Sequence, residues 1–302
     1  MKSGVVCLYK EKGFTSHDAV AKLRRLYQTK KIGHTGTLDP QATGVLPILI
    51  GNAVKACDLM PEDRKTYCAT VRFGIKTFTE DVWGEVLETD EKRPTREAFL
   101  SAMESFRGTY GQIPPMVSAV KVNGKKLYEY AREGKIIPRE KRPVTVHSLE
   151  LLSFSGEEAT VRAEVSKGTY IRTLLWDICQ KAGVIGAMSE LEREKSAGFS
   201  LDFSVTLSEI EEMTPEEREN LLLPTEHLFD PYPSLFLPAF FDRLIANGCA
   251  VSQKKIGSQF PVGKMLRLYR NGRFFALGKV VLEEGEEKIV AVKHFPSAEK
   301  EG

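Results

Sequence analysis

Residues 33 to 40 read Gly-His-Thr-Gly-Thr-Leu-Asp-Pro, and no other stretch limits the fold as strongly. Gly33 and Gly36 tolerate backbone angles closed to other residues, and Pro40 restricts Asp39 to extended or turn conformations. The helical pattern before the octet and the apolar run after it must therefore be joined by a bent loop that aims one carboxylate. Taken alone, an Asp beside Pro reads as an Asx turn or a helix N-cap.

Local signals place the neighbours. Val5 to Tyr9 reads as a short strand, and Thr15 to Asp18 as a capping box ahead of a helix with Ala19, Val20, Leu23, Leu26 and Tyr27 on its apolar face. Val45 to Ile50 is apolar and interrupted by Pro47, and Tyr67 to Phe73 alternates as a strand. Pro94 to Phe106 is predicted as a helix stopped by Gly108, Val144 to Val165 as two strands, and Tyr170 to Ala182 as a helix closed by Gly183. The polar, basic segment from Lys125 to Arg142 reads as an exposed arm. Around Phe229 to Pro233 the composition turns from acidic helix to proline-bounded linker, which predicts domains over 1–231 and 232–302. Beyond the linker come a helix over Ala239 to Ala246 and glycine-separated strands, the pattern of a small β-barrel.

The 302 residues are enough for two domains, and 28% charged against 42% hydrophobic residues is an ordinary globular balance. The net charge of +2 conceals a patchwork. Segment 1–60 has nine Lys/Arg against four acids, 121–143 has eight against three, 233–282 has eight against one, and 206–230 has eight acids and one Arg. Spaced basic blocks suit a polyanion touched at several places, although solvated surfaces give the same pattern. The five cysteines form no C-x-x-C pair and suggest reduced thiols of a cytoplasmic protein. No apolar stretch suits a membrane span. The five histidines and the cysteines lack metal-ligand spacing, and the glycine octet is neither a P-loop nor a dinucleotide fingerprint, so neither metal nor cofactor is expected. A carboxylate glycosidase would need a second acid in a comparable loop, and none stands out.

Three further blocks belong with Asp39: Arg64-Lys65-Thr66-Tyr67, the run from Gln112 through Pro114, Pro115 and Ser118 to Lys121, and Lys167-Gly168-Thr169-Tyr170-Ile171-Arg172. Singly, Tyr67 reads as a half-buried strand tyrosine, Arg172 as a surface helix arginine and His34 as a loop histidine that only hydrogen bonds. In their order and joint presence, the blocks resemble the pseudouridine synthases of the bacterial tRNA pseudouridine-55 synthase type, over essentially the whole chain.

That resemblance implies an α+β fold with a mixed, largely antiparallel sheet and a C-terminal PUA-like barrel. It makes Asp39 the catalytic aspartate, Tyr67 the active-site tyrosine and Arg172 the arginine that pairs with the aspartate. Leu191 becomes an apolar wall of the same pocket and His34 a residue that holds the RNA loop open. Lys121 and Tyr170 join them as substrate-binding candidates. Glu192 stands where the family usually carries the first member of a basic pair, which bears on a local RNA contact. The implied activity is isomerisation of a T-loop uridine of tRNA to pseudouridine, by a monomer needing no protein partner. Two rivals remain at this level: a guide-RNA-dependent isomerase of the same superfamily, and a non-catalytic tRNA-binding or folding factor.

Overall fold

The computed structural model describes residues 3–61 and 64–295, except the side chain of Asp242. Its centre is a nine-stranded mixed sheet. Along the main path the strands run Gly4–Lys10, Thr43–Ile50, Gly186–Ser196, Lys65–Phe73, Glu158–Val165, Arg142–Phe154 and Gly108–Gln112. The short strands Ile32–His34 and Phe199–Ser200 are attached to the side. Every pairing is antiparallel except one: Glu192 and Arg193 run parallel to Thr43 and Gly44.

This exception shapes the molecule. One edge of Thr43–Ile50 is taken along most of its length by Gly4–Lys10. On its other edge, residues 43 and 44 pair with Gly186–Ser196, while Ile48 to Ile50 pair with Ile32–His34. The sheet therefore forks, and the chain from Thr35 to Ala42 emerges at the fork. Pro47 lies in this strand, although proline is normally excluded from sheet interiors. The carbonyl of Pro47 accepts from Thr35 N at 3.1 Å, so its missing N–H faces the fork, where no ladder partner is required. The predicted loop thus begins at Thr35, because Gly33 and His34 are held in a short strand.

Helices Ser16–Leu26, Arg96–Glu104 and Ile171–Lys181 flank the sheet. Thr15 caps the first of these with Asp18 in a reciprocal capping box, as its sequence predicts. The main core includes the Phe73, Phe99 and Phe154 rings, whose centroids lie 5.4–5.9 Å apart. Each such pair contributes about 0.5–1.5 kcal/mol beyond area burial.

The Lys125–Arg142 segment is more structured than an exposed arm. A two-stranded hairpin, Lys121–Val122 with Lys125–Lys126, leads into the helix Leu127–Arg132, and fully buried Leu127 anchors it. Cations sit over its tyrosines, Lys125 on Tyr130 and both Lys126 and Arg132 on Tyr128.

At the C-terminal end a five-stranded curled sheet runs Ser234–Phe236, Met265–Arg270, Arg273–Glu283, Glu286–His294 and Val251–Ser252. It packs on the central sheet through one apolar cluster, in which Leu277, Phe229 and Phe295 meet Val5, Cys7, Val45 and Leu49. No helix among the described residues is long and apolar enough to cross a membrane.

Candidate active site

The Thr35–Ala42 loop is held from below by groups with no exposure to solvent. Fully buried Lys10 donates through Nζ to the carbonyls of Glu11, Phe14 and Pro40, at 2.9, 2.8 and 3.1 Å. Fully buried Arg193 fills the fork, donating from Nε to Val45 O at 2.7 Å and from Nη2 to Gly36 O at 3.1 Å. The Ser16 hydroxyl accepts from Leu38 N at 2.9 Å and lies 3.2 Å from Leu38 O. Both ends of the loop and the residue before Asp39 are therefore fixed, which aims the carboxylate.

Asp39 meets Arg172 across this frame: Asp39 Oδ2 lies 3.0 Å from Arg172 Nε. The arginine side chain is 4% exposed and the aspartate 42%, so the carboxylate faces the open side. A surface helix arginine, the reading residue 172 invites on its own, is thus overturned. Its guanidinium is occupied throughout, with Nη1 donating to Thr79 O at 2.7 Å, Nη2 to Val117 O at 3.0 Å, and Asp81 Oδ2 3.6 Å from Nη1. Arg172 sits in the first turn of its helix, where the backbone dipole disfavours a cation, and the two aspartates offset that cost.

The pair opens into a cavity of about 310 Å3 whose wall includes Asp39, Tyr67, Tyr170, Arg172 and Leu191. Five of the seven candidate residues thus meet in one place. Tyr67 and Leu191 come from the paired strands Lys65–Phe73 and Gly186–Ser196. Tyr170 precedes the Arg172 helix, and burial raises the pKa of its phenol, with Asp39 adding to that and the Ser118 hydroxyl and Arg172 opposing it.

The other two candidates fall elsewhere. Lys121 is exposed and lines a separate cleft with Pro114, Arg139 and Arg142, because the chain turns away into the hairpin once Val117 has reached Arg172. His34 lies off the cavity wall, one residue before Thr35, which is on it. Burial lowers the pKa of its imidazole, and Arg193, His17 and Lys65 lower it further, so His34 is neutral at pH 7.

Several functional positions escape a reading of motifs. Lys65 lies on the cavity wall with Tyr67, as the period of two along their strand would have indicated, and Lys167 lies there too. Gln112 is buried beneath the cavity and grips the Tyr170 backbone twice, accepting from its N–H at 2.9 Å and donating to its carbonyl at 3.1 Å. Glu192 projects from the sheet face opposite Leu191 and Arg193 and accepts a 2.9 Å bond from the Tyr9 hydroxyl, so the departure from the usual basic residue leaves the cavity untouched. Among the described residues no group of three or more His, Cys, Asp or Glu side chains could hold a metal ion.

Residues 24–171 match the model of the TruB family pseudouridylate synthase N-terminal domain, a span that holds Asp39 and Tyr67 and stops one residue before Arg172. A protein named tRNA pseudouridine synthase B from Clostridium tetani (strain Massachusetts / E88) is 37% identical over 282 residues, covering 93% of this chain and 96% of that one. Its namesake from Limosilactobacillus reuteri (strain DSM 20016) is 43% identical over 265 residues, 84% and 88% of the two chains. Among solved structures, a chain from a crystal structure of a Cbf5-Nop10-Gar1 complex superposes with a TM-score of 0.73 at 25% identity, covering 97% of this chain and 85% of that one. With the fold, the cavity and these relatives in agreement, the chain belongs to the TruB family of pseudouridylate synthases.

Proposed function

We propose that this protein isomerises uridine 55 in the T loop of tRNA to pseudouridine, acting in the cytoplasm as a monomer without a guide RNA or protein partner. The reading is carried by the Asp39–Arg172 pair at the bottom of an open cavity that also holds a phenol ring. It is supported by relatives named tRNA pseudouridine synthase B that span 88–96% of their own length in the match. The division into a catalytic part over 1–231 and a PUA-like RNA-binding part over 232–302 belongs to the same proposal.

The reaction breaks the C1′–N1 bond, turns the base and joins C5 to C1′, with the C5 proton lost to solvent. Electrons balance without an external oxidant or reductant, so side chains suffice. Asp39 is the reacting carboxylate, and Arg172 holds it charged and oriented. A uracil that has left its stack needs a flat surface, and Tyr67 offers a ring on the cavity wall. Stacking of this kind is worth about 1–3 kcal/mol per base, which offsets much of the cost of eversion. Lys167, exposed on the same wall, stands as a cation for a flanking phosphate.

Asp39→Asn keeps the size of the side chain and removes its charge. It is expected to abolish tritium release from tRNA carrying 5-³H-uridine while leaving tRNA affinity nearly unchanged, and a variant that still releases tritium overturns the assignment. Nucleoside mapping of a T-stem-loop transcript incubated with the purified protein alone tests independence from a guide RNA. Binding without conversion would mark a non-catalytic RNA factor.

A further inference from the structure

The loop that joins the two strands of the hairpin Ile75–Thr77 with Val86–Thr89 carries an anomaly. Glu80 has a left-handed backbone, φ +65°, although it is not glycine, and its neighbours Thr79 and Asp81 are two of the residues that grip Arg172. A long side chain in that region of backbone space is normally selected against, and it persists where its surroundings over-determine it. The surroundings here are specific. The Glu80 carboxylate is turned inward and accepts from the Thr173 hydroxyl at 2.5 Å, and the Glu80 carbonyl accepts from Met188 N at 3.0 Å. Burial raises the pKa of this carboxyl, with Thr173 and Arg172 opposing and Asp177 adding to the rise.

Thr173 directly follows Arg172 on the helix Ile171–Lys181. The turn is therefore stitched to two consecutive helical residues, with Thr79 O and Asp81 on Arg172 and Glu80 on Thr173. The remaining bonds brace the turn itself: the Thr77 hydroxyl donates to Asp81 O at 2.6 Å and the Thr79 hydroxyl to Asp81 Oδ1 at 2.7 Å.

We infer that Glu80 is a positioning residue of this active site, which through its bond to Thr173 locks the turn that sets the angle of Arg172 and hence of Asp39. Without the Glu80–Thr173 bond the left-handed residue keeps its backbone bond to Met188 but loses its tie to the Arg172 helix, so the Thr79 carbonyl shifts against the guanidinium and one of the acceptors that fix its plane is displaced. The inference rests on the Asp39 reading above.

The test uses the full chain and four variants. Thr173→Val removes the hydroxyl at nearly constant shape, Thr173→Ser keeps it, Glu80→Gly accepts the left-handed backbone but has no carboxylate, and Glu80→Gln keeps the acceptor oxygen. Single-turnover tritium release is expected to fall about 10-fold or more in Thr173→Val and Glu80→Gly, and to stay within about 3-fold of the parent in Thr173→Ser and Glu80→Gln. tRNA affinity should move less than about 2-fold in all four, and Thr173→Val with Glu80→Gly together should be no slower than the worse single, since both break one bond. Full turnover in Thr173→Val, additive losses in the double variant, or losses that track reduced affinity would each overturn the inference. If Asp39→Asn retains turnover, the site reading has failed. If Asp39→Asn is dead while Thr173→Val is normal, only the role of Glu80 has failed.

Discussion

The ammonium of Lys10 lies 3.1 Å from the carbonyl of Pro40, so the last residue of the first strand holds the residue that follows Asp39. Lys10 is fully buried, and its other two acceptors are also backbone carbonyls. Burial drives its pKa down to about 8 from 10.5, the Arg193 cation adds to the fall, and Asp39 opposes it. The unfolded chain then binds the proton more tightly between pH 8 and 10.5. This group's burial penalty is felt in full below pH 8 and is relieved as pH rises toward 10.5.

Lys10→Met removes that penalty but takes the ammonium from three carbonyls, of which that of Pro40 keeps a bond from Gly13 N, and a bond from a charged donor is worth about 1.5–3 kcal/mol. The expected net outcome at pH 7 is a loss of stability of about 1–3 kcal/mol and turnover reduced at least about 10-fold, because the loop that aims Asp39 is then tied at Pro40 by the Gly13 N–H alone, at 3.0 Å. Denaturant titration and tritium release measure the two effects, and unchanged turnover would show that Pro40 needs no tether beyond the Gly13 N–H.

Gly44 lies where the two parallel strands meet, with φ +101°. A Cβ there would sit 2.3 Å from the carbonyl oxygen and 2.8 Å from the nitrogen of Arg193. Neither atom belongs to a flexible side chain that could move aside. Gly44→Ala is expected to cost about 3 kcal/mol or more, read as a lower denaturation midpoint at unchanged slope. A midpoint equal to that of the parent would mean that the fork closes more loosely than the pairing of Gly44 with Arg193 implies.

Gln112 acts on Tyr170 as a short partner strand would, supplying one donor and one acceptor from a side chain that is 2% exposed. It is itself held by the Tyr110 hydroxyl at 2.7 Å. Gln112→Leu leaves the Tyr170 N–H without its acceptor at the start of the Arg172 helix, at about 1–3 kcal/mol, while the Tyr170 carbonyl keeps its helical bond from Leu174 N. Turnover should fall about 10-fold with tRNA affinity little changed, and equal losses in both would assign Gln112 to RNA binding instead.

What the amino-acid order reveals here, and what it hides, follows the range of the interactions. The capping box at Thr15, the alternation from Tyr67 to Phe73 and the glycine that closes the Tyr170 helix are local signals, and the elements they predict are present. The meeting of Asp39, Tyr67 and Arg172 in one cavity was readable only as a family resemblance, since nothing local joins positions 39 and 172. The fork was hidden because it depends on a parallel pairing between residues about 150 apart in the chain. The burial of Arg193 was hidden for the same reason: only the fork gives it carbonyls to bind in the interior. Lys121 was drawn toward the site by its place in the Pro-Pro block, but a tight hairpin two residues further on carries it away.

Asp177, half-buried on the helix that carries Arg172, supplies a pH-dependent test. Burial pushes its carboxyl up to about 6 from 3.8, with the Tyr110 hydroxyl and Lys141 partly opposing. The folded chain then binds the proton more tightly, so the stability this group contributes is complete below pH 3.8 and is lost as pH rises through 6. Asp177→Asn cannot ionise and keeps an acceptor for Tyr110. Its unfolding midpoint should lie above that of the parent at pH 8, with the gap shrinking toward pH 4. A gap constant with pH would show that Asp177 does not titrate in this range.

The predicted boundary at 231/232 falls inside a continuous apolar cluster, where Phe229 lies against Tyr232, Phe274 and Phe295 with centroids 5.5–6.3 Å apart. Leu277 of the C-terminal sheet shares that cluster with Val5, Val45 and Leu49 of the central one. Cutting the chain at residue 231 would therefore uncover one face of the central sheet, and the fragment should aggregate rather than merely bind tRNA less well. Leu277→Ala in the intact chain tests the same contact more gently, with an expected loss of about 2–4 kcal/mol from a fully buried leucine. The contribution of this end to RNA binding is better read from Lys254→Gln and Lys255→Gln, which leave the cluster alone. Each lysine that contacts a phosphate should lower the slope of log affinity against log salt by about 1 when replaced. A slope unchanged in the double variant would remove these lysines from the tRNA interface and leave the C-terminal sheet a structural cover.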